Sequence, residues 1–205
     1  MSTTSYYYSA FKRIIDFTLS LLFFAFTMPL FIILSILIYF SLHENPIFVQ
    51  SRHGYRCKTF TIIKLKTMRS PVAGQNIDDY LRLTRFTSYI RQLRLDELPQ
   101  LLCIVVGNMS FIGPRPLPVE YTARSKNPCY QRRYDVKPGI LGLSQLYGGE
   151  RLPFNHRLKI DLIYINNRSF FMDIGILFRT FILFFAKLIK APSSQVLSLP
   201  LPKFD

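Results

Sequence analysis

The sequence predicts a mostly helical α+β protein attached to a membrane, and three features carry this prediction. An uncharged, apolar run occupies residues 17–42, and a bilayer core requires about 20 such residues. Short segments that alternate between apolar and polar residues follow the run and indicate a small β element. A second apolar stretch, residues 170–190, carries a few charges at helical spacing, which is typical of a helix lying in a membrane interface.

The composition narrows the class of protein further. The 205 residues include 26 Lys and Arg against 12 Asp and Glu, a formal net charge of +14. Because 49% of the residues are hydrophobic and only 19% are charged, a disordered chain is excluded. Cys57, Cys103 and Cys129 form no CxxC pair, so neither a zinc site nor a disulfide framework is expected. The positive charge favours an anionic partner, which could be nucleic acid, lipid or a phosphorylated substrate.

The N-terminal apolar run contains a proline near its centre, and residues 1–43 are expected to form a membrane-inserted segment. Pro29 removes an intrahelical hydrogen bond and predicts a kink or break that leaves each half long enough for about half a bilayer. Lys12 and Arg13 precede the run and Arg52 follows it, and basic flanks favour the cytoplasmic side. A re-entrant helix broken at Pro29 places both flanks on one side. The alternative is a single kinked span.

Residues 44–191 are expected to form one cytoplasmic domain, followed by a loose tail at residues 192–205. The charges of the C-terminal apolar stretch fall on one arc of a helix, which predicts an interfacial helix with a basic stripe, or alternatively a helix facing the core. Those charges belong to Asp173, Arg179, Lys187 and Lys190. Within the domain we predict strands at 47–51 and 58–66 joined by a His53-Gly54 turn, helices at 78–92 and 95–106, and a short helix containing Glu120 and Tyr121.

The first candidate for chemistry is the acidic pair Asp96-Glu97, which precedes Pro99. Asp96 is an acceptable helix N-cap, and Pro99 is tolerated in a first helical turn. The start of a helix favours phosphate and keeps a nearby carboxylate ionised. An ionised aspartate there could attack phosphorus or hold a divalent cation. The alternative is a purely structural helix cap.

A second candidate is Arg115, which lies between Pro114 and Pro116. A guanidinium on a rigid backbone suits bidentate phosphate recognition, although a solvated surface arginine is the alternative. The sequence contains no GxGxxG or Walker motif, so a dinucleotide cofactor is not expected. Further basic residues could bind nucleic acid. However, the two apolar stretches at residues 17–42 and 170–190 favour a lipid or diphosphate ligand instead. These basic residues are Arg52, Lys64, Lys66, Arg132, Arg133, Lys137 and Arg151.

Taken in order and spacing, these features resemble the bacterial sugar transferase family, in particular its small, single-domain monotopic polyprenyl-phosphate phosphoglycosyl transferases. The resemblance covers most of the chain. The motifs that carry it are Lys12-Arg13-x-x-Asp16, Phe48-x-Gln50-x-Arg52-x-Gly54, Phe60-x-x-x-Lys64-x-Lys66-Thr67-Met68, Leu95-Asp96-Glu97-Leu98-Pro99-Gln100, Gly107-Asn108-Met109-Ser110, Gly113-Pro114-Arg115-Pro116, Lys137-Pro138-Gly139-x-x-Gly142, Gln145 and Leu162-x-Tyr164.

The resemblance implies a mechanism with two phosphoryl transfers. Asp96 would attack the β-phosphate of a UDP-sugar and release UMP, and undecaprenyl phosphate would then take the sugar phosphate from the aspartyl intermediate. It also implies Mg²⁺ bound at Asp96, assistance by Glu97, and phosphate binding by Arg91 and Arg115. Lys64 and Arg151 are added to the expected substrate-binding residues, and the re-entrant course of the N-terminal helix is favoured.

The implied setting is the bacterial inner membrane, with the catalytic domain on the cytoplasmic face. There the enzyme would begin a surface glycan such as lipopolysaccharide, capsule or exopolysaccharide. The expected partners are the UDP-sugar, undecaprenyl phosphate and membrane lipid, and nucleic acid is not expected. A homodimer is left open, and an inactive membrane adaptor is the alternative function.

Two positions depart from the family pattern. Met28 stands where the family has serine before the helix-breaking proline. Tyr147-Gly148-Gly149 replaces Asn-Gly-Arg, which makes Arg151 the candidate substitute for the missing arginine.

Overall fold

The computed structural model describes residues 3–71, 78–122 and 131–188, and over them the protein is mostly helical with small β elements, as predicted. The predicted tail, Cys129 and Lys190 lie outside the described residues. Within these ranges the chain also forms 3₁₀ turns at Tyr55–Cys57, Asp79–Arg82, Leu95–Glu97, Arg133–Asp135 and Gly149–Arg151. The helices and strands are α1 (Thr3–Leu42), β1 (Ile47–His53), β2 (Thr59–Leu65), α2 (Arg85–Gln92), α3 (Gln100–Val106), β3 (Ser110–Ile112), α4 (Val119–Thr122), β4 (Gly139–Leu141), α5 (Leu143–Leu146), α6 (Phe154–Asn167) and α7 (Phe170–Leu188).

Helix α1 runs without interruption from Thr3 to Leu42, with Pro29 inside it. A break of the helix at Pro29 is therefore not observed, whereas a kink there and the re-entrant course stay predictions. Proline donates no backbone hydrogen bond to the preceding turn. Just before it, the Thr27 hydroxyl donates to the carbonyl oxygen of Phe23 at 2.7 Å. A hydroxyl that bonds back in this way tends to bend a helix, so two local features act on the same turn.

Residues 8–42 of α1 are long and apolar enough to cross a membrane, and only 11% of their apolar window is buried in the protein. A core helix of a soluble protein would be mostly buried. The exposed apolar surface of α1 therefore supports membrane association.

The chain groups into two compact units, each with its own hydrophobic core. The first unit contains Met1–Asp16, Ser51–Phe60 and Gly107–Asp205, and the second contains Phe17–Gln50 and Thr61–Val106. Helix α1 and strands β1 and β2 contribute residues to both. The expected domain boundaries after residues 43 and 191 stay predictions.

The core of the second unit explains why one stripe of α1 is buried. Leu34, Ile38 and Leu42 follow one another at a spacing of four residues, so they lie on one face of the helix. They pack with Leu65 of β2 and Ile90 of α2. Phe31 packs partly against this cluster, while the other large apolar residues between positions 32 and 40 stay exposed.

Strands β1 and β2 pair as a two-stranded sheet, which confirms the predicted β element and extends β1 to His53. The predicted His53-Gly54 turn is wrong. Gly54 is extended, with φ −112°, and the chain reverses at Arg56 and Cys57, which adopt the left-handed values φ 54° and 58°. The turn therefore uses two residues that sequence rules do not favour there.

The predicted helices are shorter than expected. The 78–92 segment divides at Thr84, whose side chain accepts a hydrogen bond from the backbone N–H of Thr87 and starts α2 as part of a capping box. A 3₁₀ turn comes before it. Likewise, the 95–106 segment consists of a 3₁₀ turn at its start and α3 at its end.

Strands β3 and β4 form a parallel pair that the sequence did not predict. Ser110 faces Gly139 and Ile112 faces Leu141. The pairing brings Gly139 so close to Gly113 that a Cβ on Gly139 would lie 2.1 Å from the Gly113 nitrogen. Because such short strands show no clear alternation, their pairing depends on tertiary contacts.

Helix α7 is attached to α1 and α6 by a buried carboxylate. Asp173 is only 7% exposed. It accepts hydrogen bonds from the Tyr8 hydroxyl at 2.6 Å and the Tyr164 hydroxyl at 2.9 Å, and it also pairs with Lys12. The prediction that Asp173 belongs to a charged stripe in the headgroup region is therefore wrong. Its polar partners from α1 and α6 hold it inside the first unit.

The outer face of α7 carries a row of exposed apolar side chains. The side chains on this face recur at spacings of three and four residues, as one face of a helix requires. Arg179 is exposed, whereas the side chains of Lys187 and Lys190 are not described. The exposed apolar residues are Phe170, Phe171, Ile174, Leu177, Phe178, Phe181, Ile182 and Phe185.

We expect Gly139→Ala to destabilise the protein by about 1–3 kcal/mol or more, because the new methyl group would overlap backbone atoms that cannot move away cheaply. Gly175→Ala in α7 is the control, since a Cβ there meets nothing within 4 Å. The control should be neutral or stabilising by up to about 1 kcal/mol. Thermal unfolding in detergent would compare them, and equal melting temperatures would contradict the close approach of β3 and β4.

Candidate active site

Asp96 and Glu97 lie together in the 3₁₀ turn Leu95–Glu97, and both are buried, with 8% and 6% of their surface exposed. The residue before the turn is Arg94, in the left-handed conformation with φ 59°. Asp96 is therefore inside the turn, and the prediction that it caps a helix is wrong. The turn instead places two adjacent carboxylates in an environment that penalises their charge.

Two basic side chains contact Glu97. Lys64 Nζ, from β2, lies 3.3 Å from Glu97 Oε1, and Arg94 Nη1 lies 3.1 Å from the same oxygen. The structure thus brings the predicted residue Lys64 to the acidic pair. Arg94 was not among the predicted site residues, although its position three residues before Glu97 was a usable signal, because that spacing places side chains on one face of a helical turn.

Asp96 has a different environment from its neighbour. Its Oδ1 atom is buried and has no hydrogen-bond partner among the described residues. Burial raises the pKa of Asp96, and the charge of Glu97 raises it further, while Lys64 and Arg94 act in the opposite direction. A carboxylate oxygen of this kind is suited to accept a proton, hold a cation or attack an electrophile.

The other residues predicted to bind phosphate, Arg91, Arg115 and Arg151, lie on different structural elements. Arg91, in the last turn of α2, is exposed, and its Nη1 lies 2.8 Å from Met68 Sδ. Arg91 and the acidic pair belong to the second unit, whereas Arg115 and Arg151 belong to the first. Arg151 is exposed in the 3₁₀ turn Gly149–Arg151. The structure does not test the roles predicted for these arginines.

Arg115 sits on a backbone segment that is held by neighbours of the first unit. Pro114 and Pro116 on either side of it are buried. Its carbonyl oxygen accepts a hydrogen bond from Arg133 Nη2 at 2.9 Å. Its Nε lies 3.8 Å from Oε1 of Glu150, a largely exposed carboxylate. The rigid presentation of the Arg115 guanidinium that the prolines predict therefore has a second support.

Arg133 is itself locked in place. It is 5% exposed, and its Nη2 donates to Asp161 Oδ2 at 2.8 Å. Burial raises the pKa of Asp161, and the positive charge of Arg133 counteracts that effect. Sequence analysis grouped Arg133 with basic residues that could bind an anionic ligand, whereas the structure buries it against Asp161, a partner that lies far away in the chain.

Other members of the basic set also have structural partners. Lys66 pairs with Glu44 Oε2 at 2.5 Å, and this contact, together with hydrogen bonds from Ser70, lowers the pKa of Glu44 to about 2. Arg52 donates to the carbonyl oxygen of Pro116 at 2.9 Å. These basic side chains are therefore parts of local networks rather than one continuous basic face.

Comparison with known proteins identifies the class. The family description "Bacterial sugar transferase" matches residues 7–187, so this chain belongs to the bacterial sugar transferase family. The long apolar helix and the buried acidic pair are thus features of a sugar transferase.

Three relatives illustrate the relationship. One is an uncharacterized sugar transferase, EpsL, of Bacillus subtilis (strain 168), 34% identical over 172 residues, covering 81% of this chain and 83% of the relative. Another is the exopolysaccharide production protein PSS of Rhizobium leguminosarum bv. phaseoli, 32% identical over 82% of this chain and 92% of the relative. A third is a UDP-glucose:undecaprenyl-phosphate glucose-1-phosphate transferase of Caulobacter vibrioides, 34% identical over 82% of this chain and 67% of the relative.

We expect Asp96→Asn to stabilise the metal-free protein at neutral pH. Because the folded pKa of Asp96 is raised, the unfolded chain releases this proton at a lower pH than the folded protein does. Stability is therefore lost as pH rises through the window between the two values, and the loss is complete above the folded pKa. Because asparagine cannot ionise, Asp96→Asn removes this loss of stability.

The measurement is the melting temperature of both proteins in detergent with EDTA, across pH 4 to 7.5. The increase in melting temperature caused by Asp96→Asn should become smaller as the pH falls toward the ordinary aspartate pKa of about 3.9. Asp78→Asn, which changes an exposed side chain, is the matched control. A gain that is independent of pH would contradict the assignment.

Proposed function

We propose that this protein transfers a hexose 1-phosphate from a UDP-sugar to polyprenyl phosphate, typically undecaprenyl phosphate, and releases UMP. The observation that carries the proposal is the buried Asp96, whose Oδ1 has no partner among the described residues while Lys64 and Arg94 hold the adjacent Glu97. Membership of the sugar transferase family and the name of the Caulobacter vibrioides relative support the substrate classes. The step would begin a surface glycan.

The proposed reaction proceeds in two displacements at the same phosphorus atom. First, an Asp96 carboxylate oxygen attacks the β-phosphorus of the UDP-sugar, a bond from Asp96 to phosphorus forms, and the bond to the UMP oxygen breaks. Second, a phosphate oxygen of the polyprenyl phosphate attacks that phosphorus and releases the Asp96 carboxylate. The product is a polyprenyl diphosphate sugar, and two successive displacements let one carboxylate serve a soluble donor and a lipid acceptor in turn.

Glu97 is suited to position Asp96 rather than to replace it. Its Oε1 already accepts from Lys64 and Arg94, so it is less available as a nucleophile. Its negative charge raises the pKa of Asp96, while the two cations offset part of the combined charge. We infer that Arg91, Arg115 and Arg151 bind phosphate groups of the substrates, since guanidinium groups match phosphate geometry.

A divalent cation fits this carboxylate. Asp96 Oδ1, which has no hydrogen-bond partner in the described part of the chain, is a hard oxygen ligand. Mg²⁺ is usually bound by one or two carboxylates together with substrate phosphates. Within the described residues no cluster of three or more acidic, histidine or cysteine side chains could hold a metal by itself. When bound, Mg²⁺ would supply charge neutralisation at the diphosphate.

We propose the bacterial inner membrane as the location, with the acidic pair on the cytoplasmic side where UDP-sugars are made available. The exposed apolar surface of α1 and the outer face of α7 support insertion and interfacial contact, respectively. Membrane lipid is then a third partner beside the donor and the acceptor.

With one matching UDP-sugar, Mg²⁺ and no acceptor, we expect the wild-type protein to release about one equivalent of UMP and to become labelled with the sugar phosphate. Addition of undecaprenyl phosphate should then allow turnover. Asp96→Asn should release UMP at least about a thousandfold more slowly, because the nucleophile is lost. UMP release is measured with a panel of UDP-sugars, and the covalent label is detected by mass spectrometry of the protein.

Asp78→Asn serves as the control for the loss of a carboxylate. Near wild-type turnover by Asp96→Asn would exclude the covalent mechanism. If neither protein releases UMP from any donor, binding of UDP-sugars in the presence of Mg²⁺ separates an unsampled donor from an inactive membrane adaptor, which would not bind them.

The topology of α1 can be tested with single cysteines at Thr4 and Asn45 in a protein whose native cysteines are changed to serine. A re-entrant helix places both positions in the cytoplasm. A membrane-impermeant maleimide should then label neither position in intact spheroplasts and both after lysis. Labelling of position 4 alone in intact spheroplasts would show a spanning helix instead.

A further inference from the structure

The proposed reaction gives no role to two buried charges of the first unit, Arg133 and Asp161, which are 5% and 2% exposed. Arg133 Nη2 donates to Asp161 Oδ2 at 2.8 Å and to the carbonyl oxygen of Arg115 at 2.9 Å. Because a terminal guanidinium nitrogen carries two hydrogens, it can serve both acceptors at once. The ion pair is thereby connected directly to the backbone of a residue that is proposed to bind phosphate.

The two peptide groups on either side of the Arg115 Cα atom are both held by hydrogen bonds. The carbonyl oxygen of Pro114 accepts from the backbone N–H of Gly139 at 3.0 Å, and the carbonyl oxygen of Arg115 accepts from Arg133. Because each peptide group is planar, the orientations of these two groups set φ and ψ of Arg115. These angles determine the direction in which the side chain leaves the backbone. Arg133 therefore helps to determine where the Arg115 guanidinium points.

The next two carbonyl oxygens along the chain are also held. Arg52 Nη1 donates to the carbonyl oxygen of Pro116 at 2.9 Å, and the backbone N–H of His53 donates to that of Leu117 at 3.3 Å. Four consecutive carbonyl oxygens are thus bonded by donors from β1, from β4 and from the 3₁₀ turn that contains Arg133. A segment held at each peptide group in this way has little freedom to rotate.

Stability alone does not account for a buried ion pair at this place. Removing two charges from water is costly, and apolar side chains of similar volume are often as stabilising as the ion pair they replace. Apolar side chains, however, cannot donate a hydrogen bond to the Arg115 carbonyl oxygen. A charged donor makes a bond roughly twice as strong as a neutral one. Asp161, which lies on α6 next to the fully buried Ile160, fixes the guanidinium that makes this bond.

We propose that Arg133, held in place by Asp161, is a positioning residue that directs the guanidinium of Arg115 toward a phosphate group of the substrate. This role rests on the proposed function, in which Arg115 binds phosphate. Arg133 is buried and acts through the backbone of Arg115 rather than on the substrate itself. Its effect on the reaction should therefore require the Arg115 side chain.

The test removes both buried charges together, in Arg133→Met combined with Asp161→Leu, so that neither charge is left unpaired. In detergent, this apolar double variant should unfold at the wild-type temperature or above it. Its kcat/KM for UMP release, measured with the matching UDP-sugar, Mg²⁺ and undecaprenyl phosphate, should nevertheless fall by about ten- to a hundredfold, because a substrate-positioning group is displaced. Lys159→Met is the control, since Lys159 is an exposed basic residue of α6, and it should keep wild-type kinetics.

The same pair of substitutions is then made in the Arg115→Ala protein. Arg115→Ala alone should lower kcat/KM at least as much as the apolar double variant does. If Arg133 acts only through the Arg115 side chain, the pair should then change kcat/KM by less than about twofold. A purely structural role would lower kcat/KM by the same factor in both backgrounds.

Arg133→Lys keeps the test decisive if the apolar double variant does not fold. Lysine retains the positive charge beside Asp161 but lacks the planar guanidinium and has a flexible stem. It should lower kcat/KM at least about threefold, and this smaller loss should also disappear in the Arg115→Ala background.

Wild-type kcat/KM in the apolar double variant would overturn the proposal. An equal loss with and without the Arg115 side chain would overturn it too. In both cases UMP release by the wild-type protein shows that the proposed function itself holds. If the wild-type protein releases no UMP from any donor, the proposed function is contradicted instead, and the positioning role fails with it.

Discussion

The burial of two adjacent carboxylates in one turn is the constraint on which the functional part of this structure depends. Two buried negative charges side by side are costly unless they are partnered. The structure partners them unequally: Glu97 Oε1 is contacted by Lys64 and Arg94, and Asp96 Oδ1 has no hydrogen-bond partner among the described residues. One carboxylate is thereby stabilised in place, and the other keeps an oxygen for chemistry.

This arrangement requires local strain and a distant partner at the same time. Arg94 adopts a left-handed backbone conformation, which is uncommon for a residue with a side chain and costs of order 1–3 kcal/mol at such positions. In return, the turn that follows directs the guanidinium of Arg94 back to Glu97. The second cation comes from β2, so pairing of β2 with β1 is a precondition for the charge balance around Asp96.

The apolar helices impose a separate requirement. Their exposed faces are unfavourable in water, and a membrane removes that cost. The polar group Asp173 is nevertheless kept away from lipid, because Tyr8, Lys12 and Tyr164 surround it inside the first unit. The same unit holds Arg133, which is paired with Asp161 and also supports the backbone of Arg115. Buried ion pairs of this kind are costly to break, so they specify one arrangement of their helices.

The sequence by itself determined the apolar N-terminal helix, the β1–β2 pair, the acidic pair and the family, because these depend on composition, short periodicities and motifs along the chain. Only the tertiary structure decided the parallel pairing of β3 with β4, the inward position of Asp173 and the burial of Arg133. Each of these depends on a partner far away in the chain, and local patterns carry no record of such partners. Arg94 is a similar case. Its spacing from Glu97 could be seen in the sequence, but its role depends on Lys64, a residue from β2 that contacts the same carboxylate in the folded protein.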